Sequence, residues 1–129
     1  MAEKISQLLI NEGFIVQRYN AYSTNSIYLK LDYGLCNSIR ISDHEGKKHL
    51  NYMYNLRSDI NHDYRTTVGY TRYYVSFKHY KRIVEYAKYN RLKKWNKAGS
   101  IAAYNELVKI EKNLNKNNLG FWQKAYLVN

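Results

Sequence analysis

The sequence predicts an α+β fold: an N-terminal helix, an antiparallel meander of about four strands, two helices, and a closing segment docked on the core. Three observations lead there. Apolar spacing is helical up to Gly13, alternates with polar residues from Phe14 to Leu56, and becomes helical again from Phe77. The 129 residues hold no internal repeat and no low-complexity linker, so 1–129 reads as one domain.

Each element follows from its residues. From Glu3 to Glu12, Ile5, Leu8 and Leu9 share a helical face, and Gly13 stands where a helix commonly ends. Phe14 to Tyr19 reads as a strand, followed by a polar turn through Asn25. In Ser26 to Asp32, Ile27, Leu29 and Leu31 alternate with Tyr28, Lys30 and Asp32, the pattern of a strand buried on one side. Asp32-Tyr-Gly34 turns the chain, and Ile39 and Ile41 mark a short third strand. Asp43-His-Glu-Gly46 has hairpin chemistry, leading to a fourth strand from His49 to Leu56 with Leu50, Tyr52, Tyr54 and Leu56 on one face. The meander therefore has one wet side. Arg57 to Gly69 is polar and aperiodic, a loop. Tyr70 to Phe77 fits either a further strand or the lead into the next helix.

From Phe77 to Lys94 the stripe is Phe77, Tyr80, Val84 and Ala87, widened by Ile83, with Lys and Arg around the outside. Gly99 ends this helix and Ser100 caps the next, whose stripe is Ile101, Tyr104, Leu107, Val108 and Leu114. Asn115 to Gly120 stops it. The apolar run Phe121 to Val128 docks on the sheet or, through Phe121, Trp122 and Tyr126, forms an interface.

Composition excludes several classes. No apolar run approaches the ~20 residues of a membrane span, and the start lacks a signal-peptide layout, so a cytoplasmic protein is expected. One cysteine, Cys36, rules out an internal disulfide framework and a cysteine-based zinc finger. Proline is absent, and the abundance of Asn, Lys, Tyr and Ile matches A/T-rich codons.

The net charge of +11 is unevenly placed. In residues 1–64, Lys4, Arg18, Lys30, Arg40, Lys47, Lys48 and Arg57 are balanced by Glu3, Glu12, Asp32, Asp43, Glu45, Asp59 and Asp63. The surplus belongs to 65–129, where Glu85, Glu106 and Glu111 are the only acids, and it is densest from Arg65 to Lys97. Codon bias inflates Lys but does not confine it to one half. A block of bases interleaved with aromatics is the footprint of a polyanion site: Lys and Arg neutralise phosphates, and Tyr or Trp stacks on unpaired bases. The candidate contact residues are Arg65, Arg72, Tyr73, Lys78, Lys81, Arg82, Lys88, Arg91, Lys93, Lys94 and Trp95. Tyr74-Val-Ser-Phe77 echoes an RNA-recognition strand, but Thr71 and Tyr73 replace the small residues that strand requires.

A rival reading is a metal-dependent nuclease using Asp43, His44, Glu45, His49, Asp59, His62 and Asp63, which supply oxygen ligands and a general base without a recognised spacing. No phosphate-binding glycine loop or nucleophile elbow is present. Neither a cofactor nor a resident metal is expected.

Asn25-Ser-Ile-Tyr-Leu-Lys-Leu31 followed by Asn37-Ser-Ile-Arg-Ile-Ser-Asp-His44 resembles a hairpin found in small phage and mobile-element accessory proteins of low-GC Gram-positive bacteria, including type II anti-CRISPR-like proteins. The resemblance implies a non-enzymatic inhibitor that binds a bacterial RNA-guided nuclease (a Cas9-type effector), its guide RNA or its DNA channel. It carries over no site residues. Many such inhibitors are acidic DNA mimics, and +11 departs from that design. The alternative partner is naked DNA or RNA, bound by a stand-alone accessory protein.

Overall fold

The computed structural model describes residues 1–20, 26–42, 52–56, 74–115 and 125–128. The chain begins with α1 (Ala2–Asn11), which buries Ala2, Ile5 and Leu9 and carries Glu3 in the first turn, where a carboxylate suits the positive end of the helix. Gly13 follows in the left-handed region at φ 91°, which redirects the chain into the sheet.

The strands are β1 (Val16–Asn20), β2 (Ile27–Leu31), β3 (Ser38–Ile41), β4 (Tyr52–Asn55), β5 (Tyr74–Phe77) and β6 (Tyr126–Val128). They form one antiparallel sheet in the order β5-β4-β3-β2-β1-β6. The meander is as expected, but among the described residues the sheet has six strands, not about four. Tyr74–Phe77 resolves its ambiguity as a strand, pairing Tyr54 with Val75 and Tyr52 with Phe77. The end of the docked C-terminal segment also becomes a strand, with Val16 opposite Val128. A short segment can settle this way because an open edge of β1 supplies unpaired backbone groups.

Register places Val16, Leu29, Leu31, Ile39, Ile41, Tyr52 and Tyr54 on one face, where they pack with Ile5 and Leu9 of α1. The covering layer is completed by α2 (Tyr80–Ala98), through Ile83, Val84 and Ala87. Burying these side chains supplies roughly 1.5–3 kcal/mol for each large one.

The opposite face is less wet than alternation implies. Lys30 does point away from the main core, yet it is only 4% exposed. Burial lowers the pKa of its ammonium, and the nearby charge of Glu111 works in the other direction.

Between β2 and β3, Asp32–Gly34 forms a 3-10 turn with Asp32 and Tyr33 at positive φ (51° and 56°). The turn is held by a polar pin. The Asp32 carboxylate accepts from the Ile15 amide at 2.9 Å and from the Tyr104 hydroxyl at 2.5 Å, while the Asp32 amide donates to the Ile15 carbonyl. Tyr104 belongs to α3 (Ile101–Asn115), whose inner residues Tyr104 and Val108 form a second, smaller cluster with Tyr33. The expected α3 stripe is therefore half right. Ile101, Leu107 and Leu114 are exposed, because α3 leans on the 3-10 turn and the end of α2 instead of lying across the core face.

Candidate nucleic-acid interface

The local sequence of α2 explains which of its cations reach solvent. Ile83, Val84, Ala87, Asn90 and Arg91 are buried, a stripe at three- and four-residue spacing. Lys81, Arg82, Glu85, Tyr89, Leu92, Lys93, Asn96 and Lys97 therefore fall on the exposed side. The helix ends at Gly99, φ 100°, whose amide donates to the carbonyls of Trp95 and Asn96. Lys97 in the last turn suits the negative end of the helix.

The opposite end is electrostatically unusual. No acid occupies the first turn of α2, yet Lys81 and Arg82 do, and exposed Lys78 stands just before it. Cations there oppose the macrodipole, a cost of roughly 0.3–1 kcal/mol each at an exposed terminus. Their charges add to the partial positive charge of the unpaired helix amides. Lys4 reaches the same end, with its Nζ 4.7 Å from the centre of the Tyr80 ring. A hydrogen bond to Lys4 holds the Tyr80 phenol below its ordinary pKa.

Further along, Tyr89 is 53% exposed and Lys93 Nζ lies 4.6 Å from its ring centre. Tyr86 stands beside it, ring centroids 6.1 Å apart. Lys88 is a different case. Its Nζ lies 3.7 Å from Glu12 and 3.6 Å from Glu85, so much of its charge is answered within the molecule.

Of the sequence-predicted contact residues, Lys78, Lys81, Arg82 and Lys93 share the exposed side of α2 or its approach, and Lys94 is half-buried. Arg65, Arg72 and Tyr73 lie outside the described residues. Two candidates are taken up by the fold. Arg91 is buried, donates from Nη1 to the Glu12 carbonyl at 2.7 Å, and sits over Phe14 (3.9 Å) and Trp95 (4.7 Å). Trp95 packs against the Tyr33–Tyr104–Val108 cluster. Arg91 continues the Val84–Ala87 stripe at a four-residue step, a signal present in the sequence. Lys97, by contrast, belongs to the exposed face although the contact set omits it.

Next to Arg91, a second buried polar group locks α2 to the sheet. Asn90 Nδ2 donates to Asn37 Oδ1 (3.0 Å) and lies 3.2 Å from the Tyr54 hydroxyl, which itself donates to the Cys36 carbonyl. Burial pushes the Cys36 thiol up to about 11, so the thiolate a nucleophile needs is scarce at neutral pH. Asp32 is likewise held above its ordinary value by burial, against the opposing pull of its bond from Tyr104.

Among the described residues, no cluster of three or more His, Cys, Asp or Glu could hold a metal ion. The carboxylate–histidine set Asp43, His44, Glu45, His49, Asp59, His62 and Asp63 lies outside them. Among the described residues, no helix is long and apolar enough to cross a membrane. No family model, curated protein or solved structure matches the chain.

Proposed function

We propose that this chain is a non-enzymatic inhibitor of the anti-CRISPR-like kind, encoded by a phage or mobile element and acting in the bacterial cytoplasm. It engages an RNA-guided nuclease complex through the outer face of α2. The observation that carries the reading is the crowding of Lys78, Lys81 and Arg82 at the positive end of α2, with Lys93 and Lys97 further along and Glu85 the only acid on that helix. Such a surface attracts phosphates by releasing their condensed counterions. Tyr89, half exposed beside Lys93, offers a ring face to an unpaired base. The neutral sheet half acts as the scaffold that holds α2 outward.

The test is charge reversal at Lys81, Arg82 and Lys93 in a plasmid-interference assay. Loss of inhibition with an unchanged circular dichroism spectrum supports the reading; full inhibition by the variant contradicts it. The same surface also fits a second reading, a stand-alone protein that binds naked DNA or RNA. A gel shift with single- and double-stranded probes at low salt separates the two. Read beside the interference assay, retention of the naked probes without inhibition favours the stand-alone protein, inhibition by a chain that retains them favours the nucleic acid of the nuclease complex, and failure to shift them leaves the acidic surface of a protein complex as the target.

A further inference from the structure

The outer side of α2 divides into two rows of opposite electrical character. One runs Arg82, Tyr86, Tyr89, Lys93 and Lys97, at steps of four, three, four and four residues, so its members are neighbours along one flank of the helix. The other runs Lys81, Glu85, Lys88, Leu92 and Trp95. In this second row Glu85 lies 3.6 Å from the Lys88 ammonium, and Glu12 approaches the same ammonium at 3.7 Å. With Glu12 beside it the second row is neutral, and it ends on two apolar residues. The first row carries Arg82, Lys93 and Lys97 and no acid, and among the described residues no carboxylate pairs with any of the three.

Rings fill the space between the cations of the first row. Tyr86 is half-buried, with its ring centroid 5.3 Å from that of Phe77 on β5 and 5.1 Å from that of Tyr54 in an edge-on contact. The sheet thus fixes Tyr86, and Tyr89 stands 6.1 Å beyond it, 53% exposed. A stacked base and the phosphate attached to it need a ring and a cation close together. Tyr89 and Lys93, 4.6 Å from ring centre to Nζ, supply both.

A double helix fits this arrangement poorly. A helix seated in a major groove about 12 Å wide has a phosphate strand along each side. Beyond Lys81 in its first turn, α2 offers free cations along one side only. Paired bases also hide their faces, which leaves Tyr89 without a use. A single strand needs one line of cations and gains from a ring. From Arg82 to Lys97 that line is about 22 Å long at 1.5 Å per residue, room for roughly four nucleotides, the short end of single-strand sites. On the basis of the polyanion reading of α2, we infer that its ligand is a single strand of nucleic acid, DNA or RNA, with phosphates on Arg82, Lys93 and Lys97 and a base stacked on Tyr89.

Anisotropy titrations of the full chain test this, with short oligo(dT) and oligo(U), each alone and paired with its complement, and an abasic strand of the same length. The expected result is tighter binding of the single strands, although a purely ionic surface favours the duplex for its denser charge. The tighter of the two single strands identifies the sugar. Tyr89→Ala should weaken binding to the base-bearing strand roughly tenfold and leave the abasic strand unchanged, with the salt slope of the parent, and Tyr89→Trp should restore the affinity. The inference is overturned by a duplex bound as tightly as its single strand, or by a Tyr89→Ala loss that is absent or equal on the abasic probe. Either result leaves the basic-face reading standing if charge reversal at Lys81, Arg82 and Lys93 still abolishes inhibition. A chain that binds none of the probes also overturns the inference, and the interference assay then decides the basic-face reading by itself.

Discussion

Arg91 and Lys93 stand two residues apart on α2 and illustrate two uses of positive charge. Arg91 is folded in, its guanidinium spent on the Glu12 carbonyl and on the rings of Phe14 and Trp95. Lys93 is exposed, with its Nζ 4.6 Å from the centre of the exposed Tyr89 ring. Formal charge counts them equally, while burial separates them. Guanidinium suits the inner role because it is planar, weakly hydrated and able to stack. The outer role needs only accessible charge.

The contrast is broken most forcefully from the outside. Replacing Lys81, Arg82 and Lys93 together with Glu should weaken binding to a nucleic-acid probe by roughly a thousandfold at low salt. Tm should hardly move, because exposed charges contribute little to stability. Anisotropy titrations and thermal melts on the same variant check both halves of that expectation.

The inner cation should show the reverse profile. Arg91→Ala leaves the Glu12 carbonyl without its donor and opens space between Phe14 and Trp95, a loss of about 2–4 kcal/mol. Probe affinity, measured on the folded fraction, should stay within about twofold to threefold of the parent, since one screened charge is lost from behind the surface. A variant that loses affinity but not stability would place Arg91 in the contact surface after all.

Asp32 extends the comparison to a buried acid. Asp32→Ala removes the acceptor of the Ile15 amide and the Tyr104 hydroxyl, costing about 2 kcal/mol. Because burial raises its pKa, the folded state binds this proton more tightly than the unfolded state does. Its contribution to stability is therefore fully present below the ordinary value of 3.8 and declines as pH rises through the raised folded value. Asp32→Asn should flatten that part of the stability–pH curve, measured by urea unfolding between pH 3 and pH 7 (conditions of roughly the carboxylate range).

The smallest expected effect tests the end of the helix that presents these groups. A Cβ at Gly99 would meet nothing within 4 Å, so Gly99→Ala costs only the strain of φ 100°, about 1 kcal/mol. Chemical denaturation resolves a change of that size.

Much of the fold is legible in the sequence because its signals are local. Alternation through Ile27, Leu29 and Leu31 and the Gly99–Ser100 break each mark an element directly. What escapes is set by distant partners. Nothing local announces that Tyr126–Val128 will pair with β1, or that Lys30 will be covered on the far face of the sheet. The α3 stripe is misread for the same reason: periodicity identifies an apolar side without saying which neighbour covers it. In the candidate interface, charge density marks the region in the sequence, and three-dimensional placement buries Arg91, packs Trp95 against the Tyr33–Tyr104–Val108 cluster and sets Lys88 beside Glu12 and Glu85.

The outer face of α2 is tested most directly by the salt dependence of probe binding, in the parent chain and the Lys81/Arg82/Lys93→Glu variant. The account predicts that log affinity of the parent falls linearly with log salt, and that the variant has little affinity left to lose. Equal affinities and equal slopes for the two proteins would contradict it.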